Sequence, residues 1–270
     1  MESVRAVQEW PVDNATVAVV GADGTVRGTS GDQERPYRLA SVTKLLSAYA
    51  VLIAVEEGAV EWDQPAGPEG STVRHLIAHT SGLAFDKREA QAAPGTRRIY
   101  SNTGFEVLAE TVQENSGIPF GEYLDEAVFQ PLGMVNTRLE GSPAAGAVST
   151  AADLTRFAAE LQIPQLISTG LLREARTVVF PGLNGVLPGY GHQRPNDWGL
   201  GFELRDHKSP HWTGKQSSPE TFGHFGQSGT FLWVDPAAGL ACVALTDRPF
   251  GEWAVETWPA FSDAVLTELG

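Results

Sequence analysis

The chain has 270 residues, enough to bury a sizeable core in one or two domains. It carries 19 basic against 33 acidic residues, a formal net charge of −14. That balance argues against nucleic acid or a membrane surface as a partner, because basic patches recruit both. The lone cysteine, Cys242, excludes an internal disulfide and lies in an apolar run, where a small buried hydrophobe is expected.

The opening MESVRAVQEWPVDN has no basic start followed by an apolar core, so no signal peptide is expected there. No apolar run approaches the ~18 residues of a membrane span, and a cytoplasmic location is expected. Residues 16–20 form a β-branched run closed by Gly21, Ala22-Asp23-Gly24 supplies turn residues, and 25–30 reads as the return strand. Residues 41–57 predict one helix stopped by Gly58. Its leucines, Tyr49, Ile53 and alanines leave it apolar nearly all round, as in a helix buried on every side.

From about Trp62 to Gly191 short helices broken by Gly and Pro are expected, at 73–79, 104–115, 120–129 and 153–161. Thr150 and Asp153 mark the start of the last, with the Asp153 carboxylate expected on its first-turn amides. The Gly/Pro-rich stretch 183–219, with His192, His207, His211, Trp198 and Trp212, reads as a loop that borders a cleft. Strands return at 199–204, 223–226, 230–234 and 240–246, with 235–239 as a turn, and 252–269 closes the chain as an amphipathic helix. This order predicts an α/β domain split between residues 1–61 and 192–270, an all-helical insertion over 62–191, and an active site between the two.

Only four lysines occur, and Lys44 stands at the mouth of the apolar helix. Burying an ammonium costs several kcal/mol unless it is paired or gives up its proton. Ser41 lies three residues earlier, on the same face at the first helical turn. A serine hydroxyl needs a neighbouring base. A desolvated lysine can serve, and the Ser41 amide at the helix end is free to bind an oxyanion. Taken alone, the pair reads more simply as an N-cap and a lysine reaching for solvent.

Tyr100-Ser101-Asn102 precedes the next helix. In an extended loop Tyr100 and Asn102 share a side, a phenol to relay protons and an amide to fix substrate or lysine. Asn102 or Thr103 as a helix cap is the plainer alternative. His224-Phe225-Gly226, followed by Gln227, falls on a predicted strand, where Gly226 leaves room for a ligand and His224 offers a polar or cationic group.

These three signals in this order resemble the serine β-lactamase and penicillin-binding-protein superfamily, on its class C β-lactamase, DD-peptidase and esterase side. That family carries S-x-x-K, then Y-x-N, then K-T-G or H-x-G. TVRHLIAHTSGL, PLGMVNTRL, GAVSTAADLTRFA and GHFGQSGTFLWVDP also resemble its recurring segments, so the resemblance runs from about Thr16 to Asp247. It implies an antiparallel sheet flanked by N- and C-terminal helices, with the helical insertion. It also implies Ser41 as nucleophile, Lys44 as its activator and Tyr100 as general acid/base. Asn102 is then in the polar network, His224 replaces the third-motif lysine, and the amides of Ser41 and Gln227 form the oxyanion hole.

Histidine in place of that lysine, and a chain short for a class C β-lactamase, point to an esterase or amidase. The expected substrate is a small ester, amide or D-amino-acid peptide. A β-lactamase or DD-carboxypeptidase is the alternative, and a penicillin-binding or sensor-like module without turnover is the rival of another class. No cofactor is needed. No metal is expected either: His75 and His79 are spaced i, i+4, but Leu76 stands where H-E-x-x-H has its glutamate.

Overall fold

The computed structural model describes residues 1–269. A 3-10 segment, Ser3–Glu9, leads into strands β1 (Ala15–Gly21) and β2 (Val26–Ser30). β3 (Tyr37–Arg38) runs into a single 3-10 turn, Ala40–Val42, and then helix α1 (Thr43–Glu56). Helices α2 (Val73–Ile77), α3 (Asn102–Ser116) and α4 (Phe120–Leu124) follow, α4 continuing as a wider π turn over Asp125–Phe129. Strands β4 (Arg138–Leu139) and β5 (Ala147–Ser149) precede α5 (Ala151–Glu160) and α6 (Thr169–Ala175). The hairpin β6 (Gly185–Leu187) and β7 (Gly191–Gln193) is followed by β8 (Glu203–Leu204), β9 (Phe222–Gly226), β10 (Thr230–Asp235), β11 (Leu240–Thr246) and α7 (Glu252–Leu269).

Six strands form one antiparallel sheet in the order β2-β1-β11-β10-β9-β8, so strands from both ends of the chain share it. β10 and β11 are buried along their whole length because both faces are covered. Alternate side chains divide between two cores. Val20, Leu232, Val234 and Val243 join the core containing α1 and α5, whereas Val17, Val19, Phe231 and Trp233 pack with Trp10, Trp253, Trp258 and Phe261. Helix α5, from the middle of the chain, lies on β1 and β11, and α7 covers the N-terminal 3-10 segment. Helix α1 sits in the middle of the larger core, in contact with α3 and α4. It ends before Gly58, whose φ of 77° only glycine adopts without strain. The fold is therefore mixed α/β, with an antiparallel sheet flanked by helices.

Several expectations shift by a residue or two in ways that matter. The helix expected over 41–57 begins at Thr43, which leaves Ser41 in the 3-10 turn ahead of it. The capping residue of α3 is Ser101, whose Oγ accepts from the Gly104 amide at 2.9 Å. Neither Asn102 nor Thr103 is used as the cap. The strand expected over 199–204 reduces to Glu203–Leu204, because Gly199–Gly201 bends inward: at Gly201 a Cβ would stand 2.2 Å from that of Ala48 on α1. The stretch 183–219 is not a plain loop, since it carries β6, β7 and β8. Helix α6 and the small sheet β3-β5-β4 went unexpected, being too short for periodicity to reveal. Among the described residues no helix is long and apolar enough to cross a membrane.

Thr150 caps α5 as expected, accepting from the Asp153 amide at 3.1 Å. The Asp153 carboxylate does something other than expected. It is buried and accepts from the Asn136 amide and the Thr137 hydroxyl, both at 2.8 Å, with Arg156 on its other oxygen at 2.8 Å. It thus pins the segment before β4 to α5. Replacing Asp153 with Ala takes the acceptor from the part-buried Asn136 amide and from the buried Thr137 hydroxyl, which still has Ser149 Oγ at 2.7 Å, so a loss of about 2 kcal/mol is expected in urea unfolding. An unchanged midpoint would remove Asp153 from this role.

Candidate active site

Residues 43–47 of α1 clasp the segment before β5. Thr43 Oγ1 accepts from the Ala147 amide at 3.0 Å, Ser47 Oγ donates to the Pro143 carbonyl at 2.6 Å, and between them Lys44 Nζ donates to the Ala144 carbonyl at 2.9 Å. Lys44 also donates to Asn102 Oδ1 at 2.6 Å, and its Nζ lies 4.6 Å from the Tyr100 ring centre. The whole side chain is sealed from solvent. Burial pushes the amine well below the usual lysine range, only partly opposed by Glu106. Two neutral acceptors and the ring faces of Tyr100 and Phe105 cannot offset the desolvation of an ammonium, so the neutral amine gains.

The start of α3 supplies Asn102 because Ser101 has taken over the cap. Ser101 also donates from Oγ to the Ala84 carbonyl at 2.6 Å, and its amide donates to His79 Nδ1 at 3.1 Å. His79 was set aside as a metal ligand, and it serves as a wall for Tyr100. The imidazole packs 4.7 Å from the Tyr100 ring and 4.7 Å from Trp198. Its burial keeps it neutral. Among the described residues no cluster of three or more His, Cys, Asp or Glu is arranged to hold a metal ion. The Tyr100 hydroxyl is shut off from solvent and lacks a well-formed hydrogen bond. Burial raises its pKa above the usual tyrosine value, and the Ser41 hydroxyl beside it opposes that rise.

Ser41 is reached from the other side by the turn after β9. Thr230 Oγ1 donates to the Leu39 carbonyl at 2.8 Å and Ser228 Oγ to the Arg38 carbonyl at 2.6 Å. A Cβ on Gly226 would lie 2.2 Å from the Leu39 oxygen. The glycine therefore admits the chain leading to Ser41, and it does not face the cavity. Ala40, immediately before the serine, has φ 46°, a strained value for a residue with a Cβ. The Gln227 amide donates to no group among the described residues, and the Ser41 amide belongs to a first turn that has no internal acceptor for it. Both are free for an oxyanion.

His224 is buried on β9, 5.6 Å from Tyr100 between ring centres. Its Nδ1 donates to its neighbour's carbonyl, that of Phe225, at 2.6 Å, which leaves Nε2 as an acceptor with no partner. Burial is the main cause that lowers its pKa to about 3. Histidine here is neutral at physiological pH, so the cationic option considered from the sequence falls away.

Ser41, Tyr100, Asn102, His224 and Gln227 line one cavity of about 200 Å³, with Lys44 beneath it. Phe85, half exposed, stands at its edge, and Trp198, Trp212 and Leu187 complete an apolar wall. Trp212 is held from behind: its Nε1 donates to Glu203 at 2.7 Å. Burial alone would raise the Glu203 pKa, but His211 and Lys208 hold it at about 2. Lys208 donates to Glu203, Leu204 and Asp197, and His211 Nε2 lies 2.9 Å from the carboxylate. No local pattern in the sequence joins these three residues, since a fold in the backbone brings them together.

The model of a family described as Beta-lactamase matches residues 12–265. The chain belongs to the β-lactamase family. A crystal structure of a β-lactamase from Mycobacterium bovis is 61% identical over 99% of both chains, with a TM-score of 0.98. Simvastatin synthase from Aspergillus terreus is 18% identical, with a TM-score of 0.79 over 98% of this chain and 96% of that one, a likeness of fold alone. Among curated relatives, the D-alanyl-D-alanine-carboxypeptidase/endopeptidase AmpH of Escherichia coli is 27% identical over 143 residues. That match takes in 39% of this chain and 37% of the relative, so only a part of the relative's length is shared.

Between its lowered native pKa and the ordinary value near 10.5, Lys44 binds fewer protons folded than unfolded. Its contribution therefore destabilises the native state increasingly as pH falls through that window, and levels off below the native pKa. Lys44→Met removes this cost. Thermal unfolding should show the variant gaining on the wild type between pH 9 and pH 6. A constant difference across that range would mean that the lysine is protonated when buried.

Proposed function

We propose that the protein is a serine hydrolase that forms an acyl-enzyme on Ser41, acting on a small ester, amide or D-amino-acid peptide, with esters the preferred class. The observation that carries this reading is the sealed Lys44 amine, held by Asn102 and the Ala144 carbonyl against a Tyr100 whose hydroxyl has no other full partner. Burial disfavours both the ammonium and the phenolate, so the resting pair is a neutral amine and a neutral phenol. Ser41 Oγ attacks the substrate carbonyl and its proton passes to Lys44, directly or through the Tyr100 hydroxyl. The oxyanion meets the amides of Ser41 and Gln227. When the tetrahedral adduct collapses, the proton returns through Tyr100 to the leaving oxygen or nitrogen. Water then repeats the sequence on the acyl-enzyme and frees Ser41.

The neutral His224 supports the ester preference, because it brings no fixed charge for a substrate carboxylate beside the oxyanion site. The name of the 61% identical structure favours β-lactam opening as the second reading, through the same acyl step. The match to a DD-carboxypeptidase/endopeptidase keeps D-amino-acid peptides among the substrates to be tried.

Hydrolysis of p-nitrophenyl butyrate over many turnovers tests the reading. Ser41→Ala should lose at least about 10³-fold in kcat with an unchanged circular dichroism spectrum, and Tyr100→Phe about 10²-fold. A Ser41→Ala protein that matches the wild type would rule Ser41 out as nucleophile. A wild type that is acylated once and never turns over would instead make it a binding module.

A further inference from the structure

A second cavity, of about 520 Å³, adjoins the one that holds Ser41 and shares Phe85, Tyr100 and Pro188 with it. Its size is that of a small-molecule site. Its lining differs from the rest of this acidic protein. Arg97, Arg98 and Arg194 border it together with His192, and no Asp or Glu is among the residues that line it.

The three arginines have different standing. Arg98 is buried and committed: it donates to the carbonyls of Ala78, Val179, Phe180 and Asn196, with Asp197 4.0 Å away. It brings positive charge to the floor but little free donor capacity. Arg97 and Arg194 are exposed, and among the described residues neither side chain makes a hydrogen bond or an ion pair. Arg27, Arg74, Arg88, Arg138 and Arg156, by contrast, each pair with a carboxylate within 4.0 Å. Two unpaired guanidinium groups facing one groove, in a chain of net charge −14, leave a local positive field and planar forks that suit a carboxylate.

We infer that this groove binds an anionic group, a carboxylate in the first instance, borne by the substrate whose scissile carbonyl lies at Ser41. The inference takes its catalytic setting from the hydrolase reading, whereas the binding of the anion does not depend on turnover. It also resolves a tension at the site. The neutral His224 gives no charge beside the oxyanion amides, and the cationic capacity lies instead beyond Tyr100 and Phe85. Substrates are thus sorted by a charge set back from the reacting carbonyl.

Two matched ester pairs place the anion on either side of the scissile bond. Mono-p-nitrophenyl glutarate is compared with p-nitrophenyl valerate, and 4-butyryloxybenzoate with its methyl ester. Each is assayed with the wild type, Arg97→Ala, Arg194→Ala and the double variant. In at least one pair the wild type should favour the anionic member. The double variant should lose about tenfold of that preference and hydrolyse the neutral esters at the wild-type rate. Raising the salt to about 0.5 M should erode the wild-type preference in the same way. Isothermal titration of the same esters into Ser41→Ala, with and without the two arginine changes, reads binding in the absence of chemistry. Anionic-to-neutral ratios in both pairs, and affinities, that ignore the arginines would overturn the groove even if the esters turn over. Arginine-dependent affinity without any wild-type turnover would leave the groove standing and overturn the hydrolase reading.

Discussion

The arrangement around Ser41 depends on an amine held without water. Lys44 cannot reach solvent from α1, because the helix is packed between the sheet and helices α3 and α4. Its two acceptors come from far along the chain, Asn102 at the start of α3 and the Ala144 carbonyl before β5. Each is locked by other bonds. Ser101 takes the cap that would otherwise occupy Asn102, and Thr43 and Ser47 hold the segment 143–147 on either side of the lysine. Removing the amine from water is unfavourable, and the core around α1 and the sheet offsets it. What the site gains is an amine whose neutral form burial favours.

The same low dielectric acts on the titratable groups around Lys44, and for four of them the signs agree. It lowers Lys44, His79 and His224 and raises Tyr100, so all four favour their neutral forms. Several polar atoms are left without partners: the Tyr100 hydroxyl, His224 Nε2 and the Gln227 amide. An unsatisfied buried donor or acceptor costs about 1–3 kcal/mol, and Tyr100 and His224, which carry two such atoms, line one cavity with Gln227. The strain at Ala40 is stored at the same place. A substrate that supplies the missing bonds recovers part of that energy, more of it in the transition state if the oxyanion is what the free amides match.

Charge is distributed unevenly over the molecule. The body is acidic, the reactive cavity holds no stable charge on its own wall apart from the neutralised Glu203 cluster, and the adjoining groove is basic. Glu203, Lys208 and His211 form a closed set whose donors and acceptors serve one another, which suits a support for Trp212. Arg97 and Arg194 are open. That difference separates a structural ionic cluster from a surface able to receive a ligand.

The sequence by itself determined the hairpin β1–β2, the buried character of α1, strands β9 to β11 and the closing helix, because long apolar or β-branched runs impose their period whatever surrounds them. It also pointed to Ser41, Lys44, Tyr100, Asn102 and His224, whose spacings within short segments carry chemistry that a linear reading can weigh, and the structure brings these five together. Tertiary structure decided the rest. Ser41 falls in a 3-10 turn because the turn after β9 grips the backbone at Arg38 and Leu39. Gly226 faces that backbone, and Asp153 turns from its own helix to bind Asn136 and Thr137. His224 is neutral because burial outweighs the ordinary pKa of an imidazole. The meeting of Glu203 with Lys208 and His211, and the placing of Arg97 and Arg194 on one groove, follow from where the backbone folds back on itself. Period and propensity report only on the pattern along the chain, whereas these arrangements depend on backbone bends and on burial and charge that exist only once the chain has closed.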